Sequence, residues 1–370
     1  MTGGGVRHLY VHLPFCLHRC GYCDFVTIVG RRGEHEGYIA ALLSELEREG
    51  GVLAERIDTV FVGGGTPTFT EPGALARLLA MLPVADEVTV EANPETVTPE
   101  LAGLLREHGV NRVSLGAQSF RPELLAVLER TAAPDDVRRA VHTLRDAGFD
   151  NISLDLLYGI PGQGASDLDA DLADALALEP EHLSCYELEA KPGTRFTHAH
   201  GAELARQAEA MEGYAECVVE TLTGAGYRWY ETANFFRATN DRELRAQHNL
   251  AIWHGHDYLG VGVGAVSTLG AVRRRNGASL ARYLEALRSG RAAPSELERL
   301  DPETKYVERL MLGLRLDEPL ALAGLESLLD LAALERLVTG GLVERPTGES
   351  IRLTPRGRLL GDAVTAELLA

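Results

Sequence analysis

Residues 9–25 read LYVHLPFCLHRCGYCDF, a short β-rich run that ends in a loop carrying Cys16, Cys20 and Cys23. Working outward, the same unit recurs as a β-rich run, a polar or glycine-rich turn and a helical run. Further strands are expected at IDTVFV (57–62), EVTVEA (87–92), NRVSLG (111–116), NISLDLL (151–157) and HLSCYEL (182–188). Between them, segments such as 38–50 place apolar residues four apart, at Tyr38, Leu42 and Leu46, as an amphipathic helix does. Gly50, Gly109 and Gly148 follow helical runs, where a left-handed cap is favoured. Six such strand–helix units in succession predict a parallel sheet, because each crossover helix returns the chain to the same edge. An open sheet and a partial or complete barrel all satisfy that pattern.

After about residue 200 the pattern changes. A helical stretch (202–226) precedes YRWYETANFF (227–236), which alternates like a strand, and a glycine-rich segment follows at 258–270. From about 298 the chain reads as helices with a β-hairpin, a layout similar to a winged helix. These shifts divide it into a core at 1–235, a connecting region at 236–297 and a C-terminal domain at 298–370.

The chain has 370 residues, 45% of them hydrophobic and 24% charged, with a formal net charge of −18. That balance argues against a protein that grips nucleic-acid backbones or an anionic membrane surface. It also makes a packing or interaction role the better reading of the C-terminal domain. No run of eighteen apolar residues and no signal-peptide layout is present, so a cytoplasmic location is expected. In a reducing compartment, clustered cysteines serve as metal ligands or redox groups more often than as disulfides. Cys185 and Cys217 stand apart and read as ordinary buried thiols.

In parallel α/β folds, ligands sit where the strands end at their carboxyl side. The distinctive residues fall there repeatedly. The cysteine loop follows the first strand and GGGTPT (63–68) the second; Glu91 and Asn93 close the third and Gln118 the fourth. Asp155 lies on the fifth, and Glu187 and Glu189 end the sixth. Zinc completed by His12 or His18 is one reading of the cysteines, but structural zinc usually draws its ligands as two separated pairs. A [4Fe-4S] cluster is commonly held by four thiolates. Held by three, it leaves one iron open to an exogenous ligand.

The CX3CX2C spacing, with Tyr22 before the last cysteine, resembles the signature of the radical S-adenosylmethionine (SAM) superfamily. The resemblance implies a partial (β/α)6 barrel, a [4Fe-4S] cluster on Cys16, Cys20 and Cys23, and SAM chelated to the open iron. It further implies reductive cleavage of SAM. YVHLPFCLHRCGYCDF, FVGGGTPT, EANPE, LGAQSF and DLLYGIPGQ are together similar to the coproporphyrinogen oxidase-like branch. By that similarity Tyr10, Tyr22, Gly64, Gly65, Thr66, Glu91, Gln118, Arg130, Asp155 and Val266 would contact SAM. Around Arg130 this chain reads ERTAAP, with Ala132 where relatives usually carry a histidine.

Within the branch, three features resemble the heme chaperones of HemW type more than the oxygen-independent coproporphyrinogen III dehydrogenases. Phe25 stands where the dehydrogenases typically carry a fourth cysteine, and the cysteines are reached by residue 16. HNLAIW (248–253) resembles a heme-associated HNxxYW motif, with Ile252 in place of the tyrosine. His248 would then be a heme ligand, Asn249 would orient it, and Trp253 would offer a flat apolar surface. His254 and His256 are rival ligands. The resemblance implies heme delivery to acceptor hemoproteins, including membrane respiratory enzymes, and a homodimer, with no nucleic-acid partner. Porphyrinogen oxidation, and SAM-dependent methyl transfer or cyclopropanation, are the alternative activities of the scaffold.

Overall fold

A computed structural model of the chain describes residues 5–191, 194–239 and 242–369. Strands β1 (His8–Leu13), β2 (Ile57–Gly64), β3 (Ala85–Ala92), β4 (Arg112–Gln118), β5 (Ile152–Tyr158) and β6 (His182–Glu187) form its centre. They pair in parallel and in chain order. The crossovers are α1 (His35–Glu49), α2 (Pro72–Met81), α3 (Pro99–Glu107), α4 (Pro134–Asp146) and α5 (Ala165–Ala177). Proline opens α2, α3 and α4, where its missing N–H costs nothing. Gly109 and Gly148 end helical runs at φ 79° and 87°, as expected. Gly50 does not: its φ is −62°, because the chain continues through one 3₁₀ turn before extending at Leu53.

The alternation within β1 sets the layers. Leu9, Val11 and Leu13 point outward, fully buried beneath the helices, and His8, Tyr10 and His12 point into the concave face. The other strands repeat the rule: Val60 and Val62, Val88 and Val90, Val113 and Leu115, Ile152 and Leu154, and Leu183 all join one outer core. Each such side chain contributes roughly 1.5–3 kcal/mol on burial. The inner face carries Thr59, Glu87, Glu91, Arg112, Ser114, Asp155 and His182 instead. A polar lumen inside an apolar shell is the result.

The sheet then grows at both edges. Helices α6 (Arg195–Ala208) and α7 (Met211–Gly224) lead to an antiparallel pair, β7 (Tyr227–Glu231) and β8 (Asn234–Arg237), with β8 on β6. Helix α8 (Gln247–Trp253) crosses the lower end of the lumen, and β9 (Leu259–Val261) runs parallel to β1. The final order is β9-β1-β2-β3-β4-β5-β6-β8-β7, an unclosed, nine-stranded partial barrel. The stretch read from sequence as a connecting region, 236–297, thus supplies β9 and part of β8 to the main sheet.

A smaller unit follows, with α9 (Leu280–Arg288) still packed on α1. Helices α10 (Pro302–Gly313), α11 (Leu331–Thr339) and α12 (Gly361–Leu368) and the hairpin Val343–Thr347/Ser350–Leu353 share a separate core around Leu310, Leu334 and Ile351. This mainly helical unit docks on β7 through polar contacts. Arg315 donates to the fully buried Glu231 at 2.6 Å, Arg228 to Asp317 at 2.7 Å, and Arg358 lies 3.6 Å over the Trp229 ring. Among the described residues no helix is long and apolar enough to cross a membrane.

Arg315→Met would strand the Glu231 carboxylate in the interior. The expected cost is roughly 2–3 kcal/mol, below that of a fully enclosed pair because Arg315 is partly exposed. Urea unfolding followed by tryptophan fluorescence reads it directly, since Trp229 lies under Arg358 and Trp253 under Arg315. An unchanged midpoint would mean that the ion pair does not hold the unit in place.

Candidate functional site

The cysteine loop leaves β1 at Pro14 and is fastened at both ends. Ile28 N–H donates to Pro14 O at 2.7 Å and Gly30 N–H to Cys16 O at 2.8 Å. The end of β2 is zipped to the same stretch, with Gly65 N–H on Leu13 O and Thr66 N–H on Phe15 O, both at 2.8 Å. Here glycine is obligatory: a Cβ on Gly64, at φ 115°, would meet the His12 ring at 2.5 Å, and one on Gly65 would meet Pro14 O at 2.6 Å. Cys16 is buried and Cys20 and Cys23 are partly buried, with Cys23 N–H turned onto Cys20 O at 3.2 Å. Burial pushes the Cys16 thiol up to about 11, against the Thr66 hydroxyl, which donates to its sulfur at 3.6 Å. The Cys16 thiol therefore needs a positive partner before it ionises.

Arg130 stands beside them. It donates to Cys20 Sγ at 3.7 Å, to Asn93 Oδ1 at 3.0 Å and to Gly116 O at 2.8 Å, and its buried Nε has no partner among the described residues. Asn93 in turn donates to Thr66 Oγ1 at 3.2 Å, so Arg130, Asn93, Thr66 and Cys16 form one chain of hydrogen bonds. Asn93 closes β3 in EANPE but was not assigned a role from sequence; its position at a strand end was the available signal. Tyr22 packs with Leu124, Leu128, Leu157, Ile160, Leu188 and Phe196, which support the loop from below.

Two carboxyls face the same mouth. Glu91 accepts from Gly64 N–H at 2.9 Å, and burial lifts it to about 7, opposed by that hydrogen bond and reinforced by Asp155. Asp155, held by Ser114 at 3.2 Å and by Ser184, rises to about 6, again mainly through burial. Gln118 sits at φ 67° on a bulge at the end of β4. Tyr10 lies deeper, donating to His12 Nδ1 at 3.0 Å. Val266 lies at the β9 edge, one strand away from Tyr10. Glu187 and Glu189 are exposed, and Cys185 is buried in the outer core.

The residues fit a [4Fe-4S] cluster better than zinc. His12 cannot complete a zinc site, because Nε2 donates to Val26 O at 2.9 Å and Nδ1 takes the Tyr10 hydroxyl. His18 is exposed and faces Glu129 at 3.8 Å. Among the described residues no three His, Cys, Asp or Glu side chains converge on a single ion. A cubane spreads its thiolates wider than one ion does, and a cationic Arg130 complements three thiolates.

The HNLAIW segment is α8, at the opposite end of the strands, roughly 15–20 Å from the cysteine loop. Glu87 caps it, accepting from Gln247 N–H at 3.1 Å and His248 N–H at 3.2 Å. His248 is 2% exposed, enclosed by Phe61, Tyr10 and His8. Its Nδ1 meets Thr59 Oγ1 at 2.8 Å and its Nε2 is buried without a partner among the described residues. Burial lowers it to about 3. Trp253 faces away, against Arg315 at 4.7 Å and the cluster around Tyr230 and Phe236, while Asn249 is partly buried. The fold does not bring His248 and Trp253 to one surface.

The radical SAM superfamily profile matches residues 10–175 and the HemN C-terminal domain profile residues 300–360. Heme chaperone HemW of Mycobacterium tuberculosis H37Rv is 35% identical over 98% of this chain and 94% of its own length. The Bacillus subtilis HemW is 31% identical over 98% and 99%, and that of Escherichia coli K12 34% over 78% and 80%. The fold is similar to the coproporphyrinogen III oxidase HemN of Escherichia coli, with a TM-score of 0.79 at 24% identity over 98% of this chain and 90% of that one. The chain belongs to the radical SAM superfamily and, within it, to the HemW heme chaperone family.

Proposed function

We propose that this protein is a heme chaperone that binds a [4Fe-4S] cluster, SAM and heme and passes heme to an acceptor hemoprotein. The observation that carries the reading is a three-cysteine loop clamped against a glycine-rich strand end, in a chain similar along almost its whole length to heme chaperones. Cys16, Cys20 and Cys23 would hold the cluster, which would supply a seat for SAM and, once reduced, the electron for its reductive cleavage. Gly64 and Gly65 bring the β2 strand end against the cysteine loop, because His12 and Pro14 O fill the space of a Cβ, and the backbone there lines the methionyl seat. Arg130 offers a cation, and Tyr10, Tyr22, Thr66, Gln118 and Val266 complete the lining. Glu91 and Asp155 receive the amino group or ribose hydroxyls. His248, Asn249 and Trp253 are the heme candidates of the HN segment, and His248 reaches an iron only if α8 leaves the barrel floor.

The test is anaerobic reconstitution with iron and sulfide, then hemin loading and mixing with an apo-hemoprotein. Stoichiometric hemin binding and transfer are expected, with no protoporphyrinogen formed from coproporphyrinogen III. Robust decarboxylation would make the protein an oxidase instead, and S-adenosylhomocysteine production would make it a methyltransferase.

The carboxyls add a pH dependence. Their folded values, about 7 for Glu91 and about 6 for Asp155, lie above the ordinary 4.5 and 3.8. Protonation therefore favours the SAM-free fold; that contribution is complete below the ordinary values and disappears as pH rises through 6 and 7. A cationic sulfonium ligand that donates N–H and O–H hydrogen bonds to these carboxyls would select their ionised forms. SAM affinity of the cluster-loaded protein is thus expected to rise between about pH 6 and pH 8, and Glu91→Gln to flatten the upper part of the rise. Isothermal titration at the two pH values measures this; equal affinities would remove both carboxyls from the site.

A further inference from the structure

Each of the three cysteine sulfurs meets a hydrogen-bond donor, and the donors differ in kind. Cys23 takes the backbone N–H of Phe25, whose direction the main chain fixes. Cys16 takes the Thr66 hydroxyl at 3.6 Å, and Cys20 takes Arg130 Nη1 at 3.7 Å. These two donors are side chains with freedom to turn away. A threonine hydroxyl rotates about a single bond, and a guanidinium carries five N–H groups that point in different directions.

One amide orients both. Asn93 stands directly after β3, between the two donors. Its Nδ2 donates to Thr66 Oγ1 at 3.2 Å, and its Oδ1 accepts from Arg130 Nη2 at 3.0 Å. With Thr66 Oγ1 accepting from Asn93, the hydroxyl's own hydrogen is directed at Cys16 Sγ. Arg130 Nη2 is engaged by Asn93 and by Gly116 O at 2.8 Å, which turns Nη1 onto Cys20.

The amide has one workable orientation. Its nitrogen also lies 3.4 Å from Glu95 Oε1, a carboxylate oxygen that accepts, while its oxygen faces a guanidinium that only donates. Thr131 holds the same carboxylate oxygen at 2.9 Å. The main chain beneath the amide is tied as well, with Thr96 Oγ1 donating to Asn93 O at 2.6 Å. A side chain at this position must donate toward β2 and accept from Arg130 at the same time. An aliphatic residue of similar volume does neither.

Reduction adds a negative charge to an iron–sulfur cluster, and hydrogen bonds to its sulfurs stabilise that charge, which makes them one of the features that set its potential. Turning two donors away from two of three thiolates therefore makes a bound cluster harder to reduce. The hydrogen bonds of the Asn93 side chain go to Thr66, Glu95 and Arg130, so it acts on the sulfurs through other residues.

We infer that Asn93 is a positioning residue that sets the reduction potential of the [4Fe-4S] cluster, by aiming the Thr66 hydroxyl at Cys16 and the Arg130 guanidinium at Cys20. The inference rests on the cluster reading and adds to it a residue that is not itself a ligand.

The test is a redox titration of the reconstituted full chain without SAM, reduced stepwise with dithionite and followed by electron paramagnetic resonance of the reduced cluster. Asn93→Leu, checked for folding by circular dichroism, is expected to take up iron and sulfide as wild type does and to shift the midpoint to more negative potential. Asn93→Ala removes the amide without adding bulk and gives the same reading should the leucine variant fail to assemble. Thr66→Val, which deletes one donor outright, is expected to shift the midpoint in the same direction. Combined with Asn93→Leu, its shift is expected to fall short of the sum, because no hydroxyl is left for Asn93 to aim. If wild type takes up no iron and sulfide, the cluster reading itself fails. If wild type holds the cluster but the Asn93 variants titrate at its potential, or if the two shifts simply add, only the present inference is overturned.

Discussion

Polar groups withdrawn from water must be paired, and in this barrel nearly every inward-facing side chain is polar. A strand sends successive residues to opposite faces, so β1 cannot put Leu9, Val11 and Leu13 under the helices without sending His8, Tyr10 and His12 into the lumen. The same holds for Thr59, Glu87, Arg112, Ser153 and His182 on the following strands. Each must find a partner or carry a cost of about 1–3 kcal/mol. Arg112 is met by Asn151 and Leu244 O, and His182 by Ser153 and Tyr230. The apolar shell gives the barrel its stability, and the network inside it determines what each end of the lumen can hold.

The two ends solve that constraint differently. At the carboxyl ends, backbone rather than side chain does much of the work. Glycines bring the β2 strand end against the cysteine loop, and Gly64 N–H holds Glu91. The groups left under tension are Arg130 Nε, without a partner among the described residues, and two carboxyls and the Cys16 thiol held above their ordinary range by burial. A cluster and a cationic cofactor would relieve all of them together. At the amino ends, α8 plugs the lumen with its first turn on Glu87, and a file of His248, Thr59, His8 and His256 passes outward behind it. The strands put one strand length between the two ends.

Much of this was legible in the sequence because it depends on short-range pattern. The six central strands came within two residues of those observed, since a polar lumen gives them a clear period-two alternation, whereas 227–236, which reads as one strand, is the antiparallel pair β7 and β8 because the chain reverses at Thr232–Ala233. The cysteine spacing and glycine run identified the upper site for the same reason: both are local motifs. Gly50 was misread because a helical run followed by glycine does not say whether the chain turns left-handed or tightens by one 3₁₀ turn. β9 was missed as part of the sheet because three residues at an edge carry too little pattern to distinguish a strand from a loop.

The amino-acid sequence by itself determined which groups exist, in what order, and on which face of each strand they lie, because alternation and spacing are properties of the local backbone. It could not say that Asn93 would bridge Arg130 to Thr66, or that His248 would be enclosed while His256 stayed open. Those outcomes need residues from distant elements to meet, such as Thr59 on β2 with His248 on α8, 189 positions apart. Access, pairing and pKa follow from such meetings, and only the packed barrel decides them.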